Sequence, residues 1–221
     1  EAAALPGMTE GEDDLTLHLE WWQPSYEVAG REPDRFALYM TSRVVVTASK
    51  DEIPAIALFE RTYRRELRYA QSTGFILFLI LDNLVDQFVA LLGPLDLESE
   101  KLSDRLHAAF DPKINQKILE LKHQALVMKR VVTATRDILM RTSGRRIPVV
   151  SDACRDSLQA IFDHAHVLVT SVESLHEMVA SALDSYMSVL AQRLNETMKV
   201  LTMFSAIILP MTLVAGISGL N

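Results

Sequence analysis

Apolar and polar residues change their period along this chain, and each change marks a different kind of structure. "LTLHLEWW" (Leu15 to Trp22) and "FALYMTSRVVVTAS" (Phe36 to Ser49) alternate as half-buried strands do, and Thr41-Ser42-Arg43 reads as a turn between two strands. From Asp51 and Pro54 the spacing predicts a helix through "IALFERTYRRELRYAQ", and "FILFLILDNLVDQFVALLGPLD" opens another. Its apolar start is too short to cross a bilayer, and Asp82 and Asp86 follow at helical spacing, so it reads as a buried helix. Ser99 to Ala109 stays helical up to Asp111-Pro112.

Beyond Pro112 the pattern becomes a seam. Ile118, Leu121, Ala125, Met128, Val132, Thr135 and Leu139 recur at steps of three and four, with Lys117, Glu120, Lys122 and Lys129 between them. Gly144 and Pro148 interrupt the run, and Ser151 or Asp152 can cap the next helix. There Ile161, Leu168, Leu175, Ala182 and Val189 repeat every seven residues, with Ala165, Val172, Val179 and Tyr186 four positions behind them. No glycine or proline intervenes from Asp152 to Pro210, so one helix of about 100 Å is expected, a stalk rather than part of a compact domain.

That helix ends in "VLTMFSAIILPMTLVAGISGLN", Val200 to Asn221, which carries no charge and is long enough for a bilayer, about 20 residues being sufficient. Arg193, Glu196 and Lys199 precede it, and the basic pair suits a cytoplasmic start. A buried core helix is the alternative. Pro210 and Gly216 are tolerable in a membrane, where neighbours and Thr212 can satisfy the freed backbone groups. The predicted fold class is α+β and mostly helical. A small N-terminal sheet flanked by helices occupies a domain over 1–111, long antiparallel helices and the stalk follow over 112–199, and a first transmembrane helix spans 200–221.

Composition narrows the function. A chain of 221 residues, 49% apolar and 23% charged, can bury a core, which opposes disorder. A net charge of -7 opposes a nucleic-acid partner and suits cations. The single cysteine, Cys154, excludes an internal disulfide framework and fits a reducing compartment. Position 1 is Glu and "EAAALPGMTEGEDD" reads as a mid-protein acidic stretch, so a fragment or processed chain is expected. No phosphate-binding glycine loop and no nucleophile-base arrangement stands out, which argues against an enzyme. Asp163, His164, His166, Glu173 and His176 cluster without the spacing of a helical zinc site. No metal set is assigned there, Asp163 and His164 being the nearest approach to one. Asp82, Asp86, Asp96, Glu98 and Glu100 read as solvated faces.

"LNETMKVLTMFSAIILPMTLVAGISGLN" resembles the end of the stalk and the first membrane helix of the CorA family of divalent-cation transporters, whose hallmark Gly-Met-Asn follows a "PLTFIAGIYG"-like stretch. Asn195, Pro210, Thr212, Gly216, Gly219 and Asn221 fall in register with that pattern. The resemblance extends through "ALDSYMSVLAQ" and, more loosely, to "LFLILDNLVDQF", similar to the family's "ILDxLVDxY"-type helix. It covers roughly Phe75 to Asn221, and the sheet by position only.

The resemblance implies a homopentamer in a lipid bilayer, with a cytoplasmic αβα domain, a pore-lining stalk and a second membrane helix beyond these residues. It places the protein in the cell (inner) membrane, multi-pass, with the N-terminal domain cytoplasmic. It assigns Gly219, Leu220 and Asn221 to the pore mouth, Asn195 and Thr212 to polar rings, Met198, Leu201 and Leu209 to apolar constrictions, and Asp184 to the cytoplasmic entrance. Several have a plainer reading: a helix C-cap for Gly-x-Asn, lipid or core packing for Met198 and Leu201, a bond to its own helix for Thr212, and a solvated stalk residue for Asp184. Leu220 stands where the hallmark has Met and Ser218 where Tyr is usual, while Ala160 occupies the position of a regulatory aspartate.

The implied function is potential-driven Mg2+ influx, with Mg2+ as cargo and as intracellular gate. Co2+, Ni2+ and Zn2+ remain open as cargo. A membrane-anchored coiled-coil interaction protein that transports nothing is the reading from another class. Polar residues in register within the anchor favour the channel, because a mere anchor has no use for Asn195, Thr212 and Asn221.

Overall fold

The structure is a computed structural model and describes residues 5–24, 32–66, 72–108 and 112–219. Four strands, β1 (Gly7–Glu10), β2 (Asp14–Trp21), β3 (Asp34–Thr41) and β4 (Val45–Ser49), form an antiparallel sheet in sequence order. The helices α1 (Pro54–Glu66), α2 (Thr73–Ala108), α3 (Pro112–Gly144) and α4 (Asp152–Gly219) follow. The protein is therefore α+β and mostly helical, as the pattern predicts.

The alternation in β2 and β3 builds one apolar face. Leu15 pairs with Met40, Leu17 with Leu38 and Leu19 with Phe36, and all six side chains are buried. The Thr41 turn closes as its sequence suggests. Its hydroxyl oxygen accepts from the Arg43 and Val44 amides, and its own amide donates to the Val44 carbonyl at 2.8 Å. Elements α2 and α3 pack on the sheet, whereas among the described residues α1 touches only α2. The helical layer described here thus lies on one face of the sheet.

Pro54 is the first residue of α1, where its missing amide is no loss, and Glu66 is the last described. The expected continuation to Gln71 falls outside the described residues. Helix α2 is continuous from Thr73 to Ala108, as the helical character carried on to Ala109 suggests. It runs through Gly93 and Pro94, both exposed, so water can satisfy the carbonyl that Pro94 leaves without a partner. Leu77, Ile80, Leu81, Leu84, Val85 and Phe88 bury its first half, confirming a core helix.

The seven predicted seam positions of α3 are each at most 2% exposed, and in α4 every seam position from Ile161 to Tyr186 is buried, with Val189 half-buried at the end. The two helices form an antiparallel hairpin. Lys129 and Glu173 bridge it at 3.1 Å, but both are more than one-third exposed, so the pair is worth about 0–1 kcal/mol, against about 2–5 kcal/mol for truncating one seam leucine to alanine. The seam, not the bridge, holds the hairpin.

Helix α2 runs parallel to α4, fastened where both begin. The Cys154 thiol donates to the Gly74 carbonyl at 2.9 Å, and a Cβ on Gly74 would come within 3.2 Å of that sulfur, so any larger residue would make the thiol give way by a few tenths of an ångström. Burial pushes the Cys154 thiol up to about 11. The folded protein is therefore expected to resist a neutral thiol reagent at pH 8 and to react fully once unfolded in urea. Rapid labelling of the native protein, read by mass spectrometry, would show that the α2–α4 junction opens.

Candidate ion-conduction helix

The seam explains what holds the first part of α4 and also where that support ends. Its last buried residues are Ala182 and Tyr186, and from Ala191 to Ile217 every side chain is exposed. Two helices are apolar enough to cross a membrane, and burial separates them: 44% of the most apolar stretch of α2 is buried, and none of that of α4. An apolar helix left bare on all sides is stable only where lipid or neighbouring helices replace water.

Six assigned positions can be located on this helix. Asp184, Asn195, Met198, Leu201, Leu209 and Thr212 are all exposed and, at ~100° per residue, fall on one face about 120° wide. At Asp184 that face points away from Ala182 and Tyr186, hence away from the domain's own core. The described helix ends at Gly219, and Leu220 and Asn221 lie outside the described residues.

Pro210 removes one amide from the helix, freeing the Ala206 carbonyl. The expectation that Thr212 would satisfy it is not met. The Thr212 hydroxyl donates to the carbonyls of Ile208 (3.0 Å) and Leu209 (2.8 Å), beyond the freed group, because a hydroxyl reaches only three or four residues back.

The histidine-rich stretch comes apart. Glu173 pairs with Lys129, the His166 ring stacks on Phe162 at 6.3 Å, and Asp163 accepts from Gln159 at 3.1 Å. His164 instead faces Asp86 of α2, with Nδ1 3.9 Å from Oδ1 on an open surface, a contact the sequence does not announce because it depends on the α2–α4 register. Among the described residues no three His, Cys, Asp or Glu side chains come together to hold a metal. Ala160 is exposed one turn before His164 and offers no ligand. The acidic run on α2 is not uniformly solvated either: Asp96 is half-buried, and burial, with Glu100 beside it, raises its carboxyl above the ordinary value.

The family described as CorA-like Mg2+ transporter protein matches residues 5–221. Among relatives, the cobalt/magnesium transport protein CorA of Methanocaldococcus jannaschii is 25% identical over 187 residues, covering 83% of this chain and 59% of that protein. The zinc transport protein ZntB of Pectobacterium carotovorum is 23% identical over 199 residues, covering 87% of this chain and 59% of that protein. The chain thus spans about three-fifths of each. The complete structure of the CorA magnesium transporter from Methanocaldococcus jannaschii superposes with a TM-score of 0.84 at 24% identity, covering 98% of this chain and 68% of that one, a likeness of fold. With the family matched from the sheet to the end of the apolar helix, this chain belongs to the CorA-like Mg2+ transporter family.

Proposed function

We propose that this chain is the cytoplasmic domain, stalk and first membrane helix of a homopentameric channel in the cell membrane that admits hydrated divalent cations, Mg2+ foremost, down the membrane potential. One observation carries the reading: α4 runs unbroken from a packed domain into a bare apolar segment, with its polar and gate positions on a single face. Five such helices around an axis turn each position into a ring.

The chemistry follows from the cargo. A small hard dication gives up its water reluctantly, so a pore mouth serves it best with amide oxygens that accept hydrogen bonds from the hydration shell. Asn221 supplies that oxygen, and Gly219 lets the chain turn so that it faces the axis. Below it Met198, Leu201 and Leu209 close the path by excluding water, Asn195 and Thr212 offer polar stations, and Asp184 draws cations at the cytoplasmic end. The similarity to a zinc transport protein supports a second cargo reading, Zn2+ with Co2+ or Ni2+ beside it, for the same path.

Full-length protein in proteoliposomes should take up Mg2+ under an inside-negative potential, and light scattering in detergent should give a pentamer. A monomer or dimer that moves no divalent ion would leave only the membrane-anchored coiled coil standing. Preference for Zn2+ over Mg2+ would keep the channel and change its cargo.

A further inference from the structure

From Val200 to Ile217 the apolar helix carries three polar side chains, Thr202, Ser205 and Thr212. At ~100° per residue the three lie within about 80° of one another and at the centre of the face that bears Asn195, Met198, Leu201 and Leu209. The opposite side is Val200, Met203, Ile207, Met211 and Val214. Lipid would accept a hydroxyl at any angle once it is bonded to its own helix, so such a concentration on one face points to something other than lipid facing it.

The hydrogen bonds give the second observation. Each hydroxyl spends its proton on a carbonyl one turn back: Thr202 on Met198 at 2.8 Å, Ser205 on Leu201 at 3.0 Å, and Thr212 on Ile208 and Leu209. A hydroxyl so committed offers only lone pairs to what lies beyond it. The outer surface of a hydrated cation is a shell of O–H donors, so these oxygens are set as acceptors before any ion arrives. Ser205 stands between the Leu201 and Leu209 positions, where beyond Thr202 an otherwise apolar path would leave the hydration shell without a partner until Thr212.

We propose that Ser205 lines the conduction path and acts there as a ring of hydroxyl acceptors for the water shell of a divalent cation, a polar station inside the apolar gate. This rests on the channel reading above. The residue sets the rate through the gate, and the ion crosses the constriction with its hydration shell retained.

The test uses full-length protein in proteoliposomes with Mg2+ uptake under an inside-negative potential. Ser205→Ala should lower uptake about tenfold, while Ser205→Thr, which keeps the hydroxyl, should restore most of it. Ser205→Cys should be blocked by a charged methanethiosulfonate reagent, and Ile207→Cys, on the opposite side, should not. The wild type is the control for the buried Cys154. Unaltered uptake by Ser205→Ala, or equal block at Ile207→Cys, would overturn the assignment while leaving the channel intact. A wild type that moves no divalent cation would remove the channel reading and this inference with it.

Discussion

Asn221→Ala is expected to reduce Mg2+ uptake by well over tenfold in proteoliposomes held at an inside-negative potential. In a pentamer the substitution removes one acceptor from every subunit at once and leaves an apolar mouth where the hydrated ion must enter. A hydrogen bond to a charged species is worth about 1.5–3 kcal/mol, and every ~1.4 kcal/mol is tenfold, so losing even two contacts exceeds what one substitution normally costs. Assembly should survive, because the packed core of α4 ends near Tyr186, well before Asn221 in the sequence. Asn221→Asp should instead bind cations more tightly and release them more slowly, since carboxylates hold a dication harder than amides do. Wild-type uptake by Asn221→Ala, with pentamer yield checked in parallel, would make Gly-Leu-Asn an ordinary helix end.

The long helices were legible because burial and period coincide. Ile118 to Leu139 and Ile161 to Tyr186 face one another along a single seam, and a repeat of three and four residues has few other uses at that length. Strands β2 and β3 were legible from alternation. Strand β1 was not: it has four residues, Met8 is its one large apolar side chain, and its place is decided by pairing with Leu17. The continuity of α2 through Pro94 was legible as helical character that persists beyond it to Ala109, and the exposed setting explains why the proline is tolerated.

The proposed conduction face rests on a different kind of signal. In one chain Leu209, assigned to the path, is 69% exposed, and Met211, on the far side, is 68% exposed. Exposure cannot tell them apart, and the angular position of the residue can. Ser205 carries no motif signal of its own, only its place on the same helix face as Thr212, seven residues earlier. The Asp86–His164 contact had no local signal, being set by how two helices 80 residues apart line up at Gly74 and Cys154.

Leu201→Asp and Met198→Asp should increase basal flux. A narrow ring of leucine or methionine repels water, and an ion entering it would have to lose solvation with nothing in exchange, which closes the path without any moving plug. Carboxylates at the same level hold water and attract cations, so the constriction stays wet and the barrier falls. The angular assignment gives the prediction its specificity. Both residues are near the N-terminal end of the apolar run and share a face with Asn195 and Thr212, so in the proposed channel a charge there meets an aqueous lumen. The same change at Met211 would put a carboxylate toward lipid deep in the run, at a cost of about 2.5–3.5 kcal/mol per helix near the bilayer centre, and should lower the yield of assembled protein instead of raising leak. Leak of Mg2+ from preloaded proteoliposomes, normalised to the amount of correctly assembled protein, separates the two. Unchanged leak with Leu201→Asp and Met198→Asp would mean that these side chains pack against lipid or neighbouring helices and that the gate lies elsewhere on α4.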